Sequence, residues 1–145
     1  MGATGPHFTS AELACKGTKC GDGAGCHANG CTQGLVDALE AFRALVGKPV
    51  IVDSAYRCAQ HNAEVGGKPN SQHMLGEAAD IRVTGMTAGQ LEAYARQVPA
   101  IKGIGRADHQ QYIHVDVRET PAAWCYDMSG KTIPYYTSPD AVISA

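Results

Sequence analysis

The stretch "YIHVDVR", residues 112–118, constrains the fold more than any other part of this chain. Its side chains alternate strictly. Ile113, Val115 and Val117 fall on one side of an extended backbone, and Tyr112, His114 and Asp116 fall on the other. A period of two is the mark of a strand with one face in a core. The polar face of such a strand, with a histidine at its centre, needs either water or chemistry to justify it. "AADIRV", residues 78–83, has the same form, with Asp80 and Arg82 opposite Ile81 and Val83. If the two strands are sheet neighbours, Asp80 and His114 can meet across them.

Helices fill the intervals. "TSAEL" opens one, with Thr9 as cap and Glu12 three residues on, as a capping box requires. "LVDALEAFRALVG" is amphipathic, with Leu35, Leu39, Phe42 and Leu45 or Val46 on one face and Gly47 as its stop. "TAGQLEAYARQV" repeats the capping pattern with Thr87 and Gln90. "PVIVDSAYR" and "KGIGRADHQ" supply further strand candidates, and a short helix fits around His61 to Val65. The expected fold class is therefore α+β: a small single domain over residues 1–145, with a central antiparallel sheet, flanking helices, a Cys-rich N-terminal loop at 15–31 and an irregular tail at 119–145.

At 145 residues one domain can bury a real core. A formal net charge of −2 argues against a nucleic-acid partner. No apolar run approaches the roughly 18–20 residues that span a bilayer, so no transmembrane segment is expected. The opening "MGATGPHFTSAEL" carries no apolar core of a signal peptide. Six cysteines nevertheless point toward an oxidising compartment. Cys15, Cys20, Cys26 and Cys31 cluster, while Cys58 and Cys125 stand apart. Disulfides, a structural metal held by the first four, and free thiols all fit that spacing, with disulfides the leading reading.

The polar side chains at 73, 80 and 114 carry the functional signal. His73 precedes Asp80 by a short loop, and Gly76 between them lets the chain fold back toward the Asp80–His114 pair. Two imidazoles and one carboxylate would leave zinc an open fourth position, as in hydrolytic sites. Manganese or another divalent ion could use the same donors, but this set suits zinc best.

The residues around these three match a pattern. "SAYRCAQHNAEVGGKPNSQHMLGEAADI" followed by "YIHVDVR" closely resembles the zinc D-alanyl-D-alanine carboxypeptidases and the related phage L-alanyl-D-glutamate endopeptidases, over roughly residues 8–118. The matching positions are Ser54, Tyr56 and Arg57; His61 and Asn62; Val65, Gly66 and Gly67; Ser71, His73, Gly76, Ala78, Asp80 and Ile81; then His114 and Asp116. The resemblance implies a zinc peptidase of bacterial peptidoglycan stem peptides, with His73, Asp80 and His114 as ligands; a monomer in a periplasmic or extracellular setting is expected beside it. It implies Arg57 as the cation facing the reacting carbonyl. Ser71 and Gln72, which shape the loop before His73, and Tyr56 are the candidate substrate contacts.

The general base departs from the pattern. Many relatives carry Asp or Glu three residues before the last histidine, where this chain has Gln111. Asp116 is the first candidate in its place, with orientation of a ligand as its alternative role. Asp108 is second and His109 third. Two other classes compete with a peptidase. One is a zinc-retaining binding module, as in the hedgehog domains of similar fold. The other is a cysteine-framework structural protein.

Overall fold

The computed structural model describes residues 2–17, 28–68 and 70–138. Among these residues are four α-helices and a six-stranded sheet, the helices all preceding the last four strands. Helix α1 (Ser10–Leu13) is closed by the Thr9–Glu12 capping box. Helix α2 (Gln33–Val46) starts at the Thr32 cap and ends at Gly47, whose φ of 66° completes the left-handed stop. Its buried face is Leu35, Val36, Ala38, Leu39 and Phe42. Val46 continues this face, and Leu45 turns to solvent.

Strand β1 (Ile51–Ser54) leads to the short helix α3 (Ala59–Glu64) and a 3-10 turn at Gln72–Leu75. Strand β2 (Ala78–Arg82) follows, then helix α4 (Ala88–Ala95), capped by Thr87 and Gln90. Strands β3 (Gly103–Ala107), β4 (Tyr112–Asp116), β5 (Ala122–Tyr126) and β6 (Thr132–Pro134) come next. The sheet order is β1-β2-β4-β3-β5-β6.

Two expectations are corrected. The sheet is mixed, because β5 runs parallel to β3 while all other pairs are antiparallel. Residues 117–121 cross the end of β3 to make this possible. The segment after 119 is also no irregular tail through residue 134: β5 and β6 form a hairpin that extends the sheet. These strands are short and interrupted by turn residues, so they lack the alternation that marks β4. Pro134 sits on the outermost strand, where a missing N–H costs no ladder bond.

The sheet's apolar face, with Ile81, Ile113 and Val115 fully buried, packs with α2 and α4 into one core. The opposite face carries the polar members of β2 and β4. The Cys-rich loop lies partly outside the described residues, which include neither Cys20 nor Cys26. Among the described residues no disulfide is made. The sulfurs of Cys15 and Cys58 stand 3.7 Å apart, in contact but beyond the bonded distance of about 2.05 Å. Burial pushes the Cys31 thiol pKa up to about 11, which makes it an inert core residue.

Candidate metal centre and cleft

The register places the site. Asp80 on β2 pairs directly with His114 on β4, so both side chains rise from the same face. His73 arrives from the 3-10 turn, whose first N–H groups are capped by Ser71 Oγ, which accepts from His73 N at 3.2 Å. The turn ends at Gly76 with φ 72°, a conformation glycine adopts without cost. Gly76 N–H donates back to Gln72 and His73 carbonyls, and this reverses the chain toward β2.

Three donor atoms converge. His73 Nε2 lies 3.3 Å from Asp80 Oδ1, and His114 Nδ1 lies 3.4 Å from the same oxygen. Ligands about 2.0–2.1 Å from a tetrahedral zinc stand about 3.3–3.4 Å apart, so the spacing fits that ion. The far nitrogens are already committed. His73 Nδ1–H donates to the Ala55 carbonyl at 2.7 Å, and His114 Nε2–H donates to Asp116 Oδ2 at 2.7 Å. Each bond fixes a tautomer and leaves the inward nitrogen as a lone-pair donor. Among the described residues no other His, Cys, Asp or Glu group converges in this way. Burial opposes the charge on Asp80, but the two imidazoles outweigh it and hold its carboxyl well below the usual carboxylate range.

The centre lies in a cleft of about 820 Å³. Arg57 lines it, with Nη2 donating to Asp80 Oδ2 at 3.3 Å. Bonds to Ser54 Oγ (3.2 Å) and Asn62 Oδ1 (3.1 Å) hold the guanidinium in place. Ser71 and Gln72 also line the cleft, and Gln72 Oε1 is buried with no partner among the described residues. Tyr56 is not among the cleft's lining residues. It packs against the core and beside the Cys15–Cys58 pair.

The two carboxylates expected as general base are placed elsewhere. Asp116 is fully buried, and both of its oxygens are engaged. Oδ1 accepts from Arg118 Nε at 2.8 Å, and Oδ2 accepts from Arg118 Nη2 at 2.6 Å and from His114. This is the geometry of a group that orients a ligand, with no oxygen left to take a proton from water. Asp108 accepts from Arg106 Nε at 2.9 Å and from the Tyr136 hydroxyl at 2.5 Å, outside the cleft. Gln111 accepts from Ala88 N at 2.6 Å and so anchors the start of α4. His109 is exposed and also lies outside the cleft lining.

Sequence reasoning passed over several cleft residues, among them Lys68, Arg118 and an aromatic group. Tyr112 and Tyr126 stack with centroids 6.0 Å apart, and Trp124 and Lys131 come from the β5–β6 hairpin. Tyr112 was open to discovery, since it shares the strand face of His114. Burial pushes its pKa up to about 12, so its phenol remains a hydrogen-bond donor at neutral pH.

Comparison with known proteins agrees with this geometry. The family model described as Peptidase M15 matches residues 6–116. The zinc D-Ala-D-Ala carboxypeptidase of Streptomyces albus G is 36% identical over 80 residues, covering 53% of this chain and 31% of that protein. This chain thus aligns with under a third of that relative's length. That relative is a zinc enzyme by name, and in this chain the His73–Asp80–His114 group could hold a metal ion. The chain therefore belongs to the Peptidase M15 family, whose model spans most of its length.

Proposed function

We propose that this protein hydrolyses peptide bonds in the stem peptides of bacterial peptidoglycan, outside the cytoplasm, with zinc held by His73, Asp80 and His114. The observation that carries the reading is the convergence of those three donors beside Arg57 in one cleft. When bound, zinc supplies Lewis-acid polarisation of a carbonyl and lowers the pKa of water to about 7.

The chain's own residues do the rest. Arg57, fixed by Ser54 and Asn62, presents a permanent positive charge next to Asp80. It is placed to meet negative charge on a substrate carboxylate or on the reacting oxygen. The Tyr112 phenol offers a neutral donor from the same strand as His114. Gln72 Oε1 would gain its missing partner from a substrate amide N–H. Asp116 keeps the His114 proton on Nε2. The cleft also carries Lys68, Arg118 and Lys131, and Asp80 is its one carboxylate among the described lining residues. That balance suits a peptide bearing free carboxylates, as stem peptides do. No helix among the described residues is long and apolar enough to cross a membrane.

The same lining favours one rival. Among the described residues no carboxylate besides Asp80 lines the cleft to act as a base, which would suit a zinc-containing binding module. Mass spectrometry of purified peptidoglycan, after incubation with and without a chelator, separates the two. Stem-peptide fragments that vanish with chelator are expected, and their masses identify either terminal D-Ala loss or cleavage after L-Ala. A zinc-loaded protein that binds peptidoglycan without releasing fragments would overturn the peptidase reading.

A further inference from the structure

We propose that Trp124 is a positioning residue for the metal centre, gripping the His114 ring from a strand beyond the family-matched segment. The inference rests on the zinc reading above and concerns a residue that the family match, ending at 116, does not reach.

The sheet register supplies the first argument. Ser54, Asp80, His114, Gly105 and Trp124 form one row across five strands. Gly105 separates His114 from Trp124 and has no side chain to fill the space. A Cβ there would stand 2.5 Å from Trp124 Nε1 and 2.8 Å from the Tyr126 ring. The glycine therefore lets Trp124 lean across β3, and its ring reaches the His114 ring at a centroid distance of 5.1 Å.

The second argument is a closed circuit of contacts. The Arg118 guanidinium lies 5.0 Å over the Trp124 ring. That guanidinium holds Asp116 through two bonds, and Asp116 holds His114 Nε2. His114 is thus fixed at one edge by Asp116 and packed against the tilted Trp124 ring, at 49° between planes, and Arg118 ties the two restraints together. An imidazole that turns about its Cβ–Cγ bond swings Nδ1 away from Asp80. Two restraints at different points of the ring prevent that turn, and supporting contacts of this kind typically change metal affinity about 10- to 100-fold.

Trp124 is the sole tryptophan of the chain, so its emission reports on the contact directly. Titration of the metal-free, full-length protein with zinc should change that emission and reach its end point at one equivalent. Competition against a chromophoric chelator should show zinc affinity falling about 10- to 100-fold in Trp124→Ala and staying near wild type in Trp124→Phe, which keeps a ring in place. Gly105→Ala should weaken zinc in the same direction, although residue 105 has no donor to offer. Circular dichroism checks that each variant is folded. A folded Trp124→Ala chain with wild-type zinc affinity would overturn the proposal, even if its activity fell. So would wild-type emission that ignores a bound equivalent of zinc, a test that stands if Trp124→Ala fails to fold. Wild-type protein that takes up no zinc would overturn both this proposal and the zinc reading beneath it.

Discussion

Asp116 has four hydrogen-bond donors around two oxygens, and Arg118 supplies three of them: its backbone N–H (3.2 Å), Nε and Nη2. Loss of a carboxylate that orients a histidine ligand typically costs 10- to 100-fold in metal affinity or activity. Asp116→Asn should therefore weaken zinc by about that factor, read by chelator competition. A general base would instead leave affinity unchanged and lower turnover alone. His73→Ala and His114→Ala should each abolish stoichiometric zinc, read by elemental analysis of the purified protein. Gly103 tests the packing beneath Asp116, since a Cβ at that position would overlap the carboxylate. Gly103→Ala should lower stability by about 1–3 kcal/mol, measured by thermal unfolding. Strand alternation made His114 and Asp116 legible as one face, and spacing around Gly76 made His73 legible as its partner. The grip of Arg118 on Asp116 was not legible. It arises where the chain turns back on itself after β4, and no period in the sequence records that bend.

Helix α4, strand β3 and the segment after β6 are joined by buried charge. Arg106 is fully buried and donates to Glu92 Oε1 at 2.7 Å, to Asp108 and to the Tyr136 carbonyl at 2.7 Å. Glu92 also accepts from Arg96 and from the Tyr135 hydroxyl. Burial works against its charge, but the bonds from Tyr135, Arg106 and Arg96 hold its pKa below the ordinary 4.5. Glu92→Gln would remove one of the two carboxylates that pair with buried Arg106, leaving Asp108, at a cost of about 1–3 kcal/mol. The lowered pKa gives stability that is complete above 4.5 and is lost as pH falls through the folded value. Unfolding curves should therefore show the wild-type advantage over Glu92→Gln at pH 7 and its decline at more acid pH. This network explains why Asp108 misled. Read locally, it is a polar loop residue before the strand with the last ligand. Its real partner, Arg106, is a strand residue that the sequence marks as exposed by charge alone. The β5–β6 hairpin was missed for a related reason: "AAWCY" has too little alternation to announce a strand without β3 beside it.

The whole molecule has a formal net charge of −2, yet its cleft gathers Arg57, Lys68, Arg118 and Lys131. The positive field is local, so its effect should depend on ionic strength. Raising salt from about 0.01 M to 0.15 M shortens the screening length from about 30 Å to about 8 Å. KM for a peptide with free carboxylates should rise over that range while kcat changes little. A KM indifferent to salt would mean that these cations do not read the substrate. The α+β class, the flanking helices and the ligand row were legible because helix capping and strand alternation are local signals. The parallel β3–β5 pair was not, because it depends on which edge of the sheet stays open after β4 is placed. That pairing rests on residues 117–121, whose last three, Glu119, Thr120 and Pro121, are exposed. Arg118 sits on this crossing, and β5 with Trp124 begins where it ends. A protease that nicks the crossing would leave His73, Asp80 and His114 uncut while severing the hairpin from the strand it steadies. Limited proteolysis at this exposed span is therefore expected to weaken zinc binding without cutting between the ligands, read by chelator competition before and after the nick.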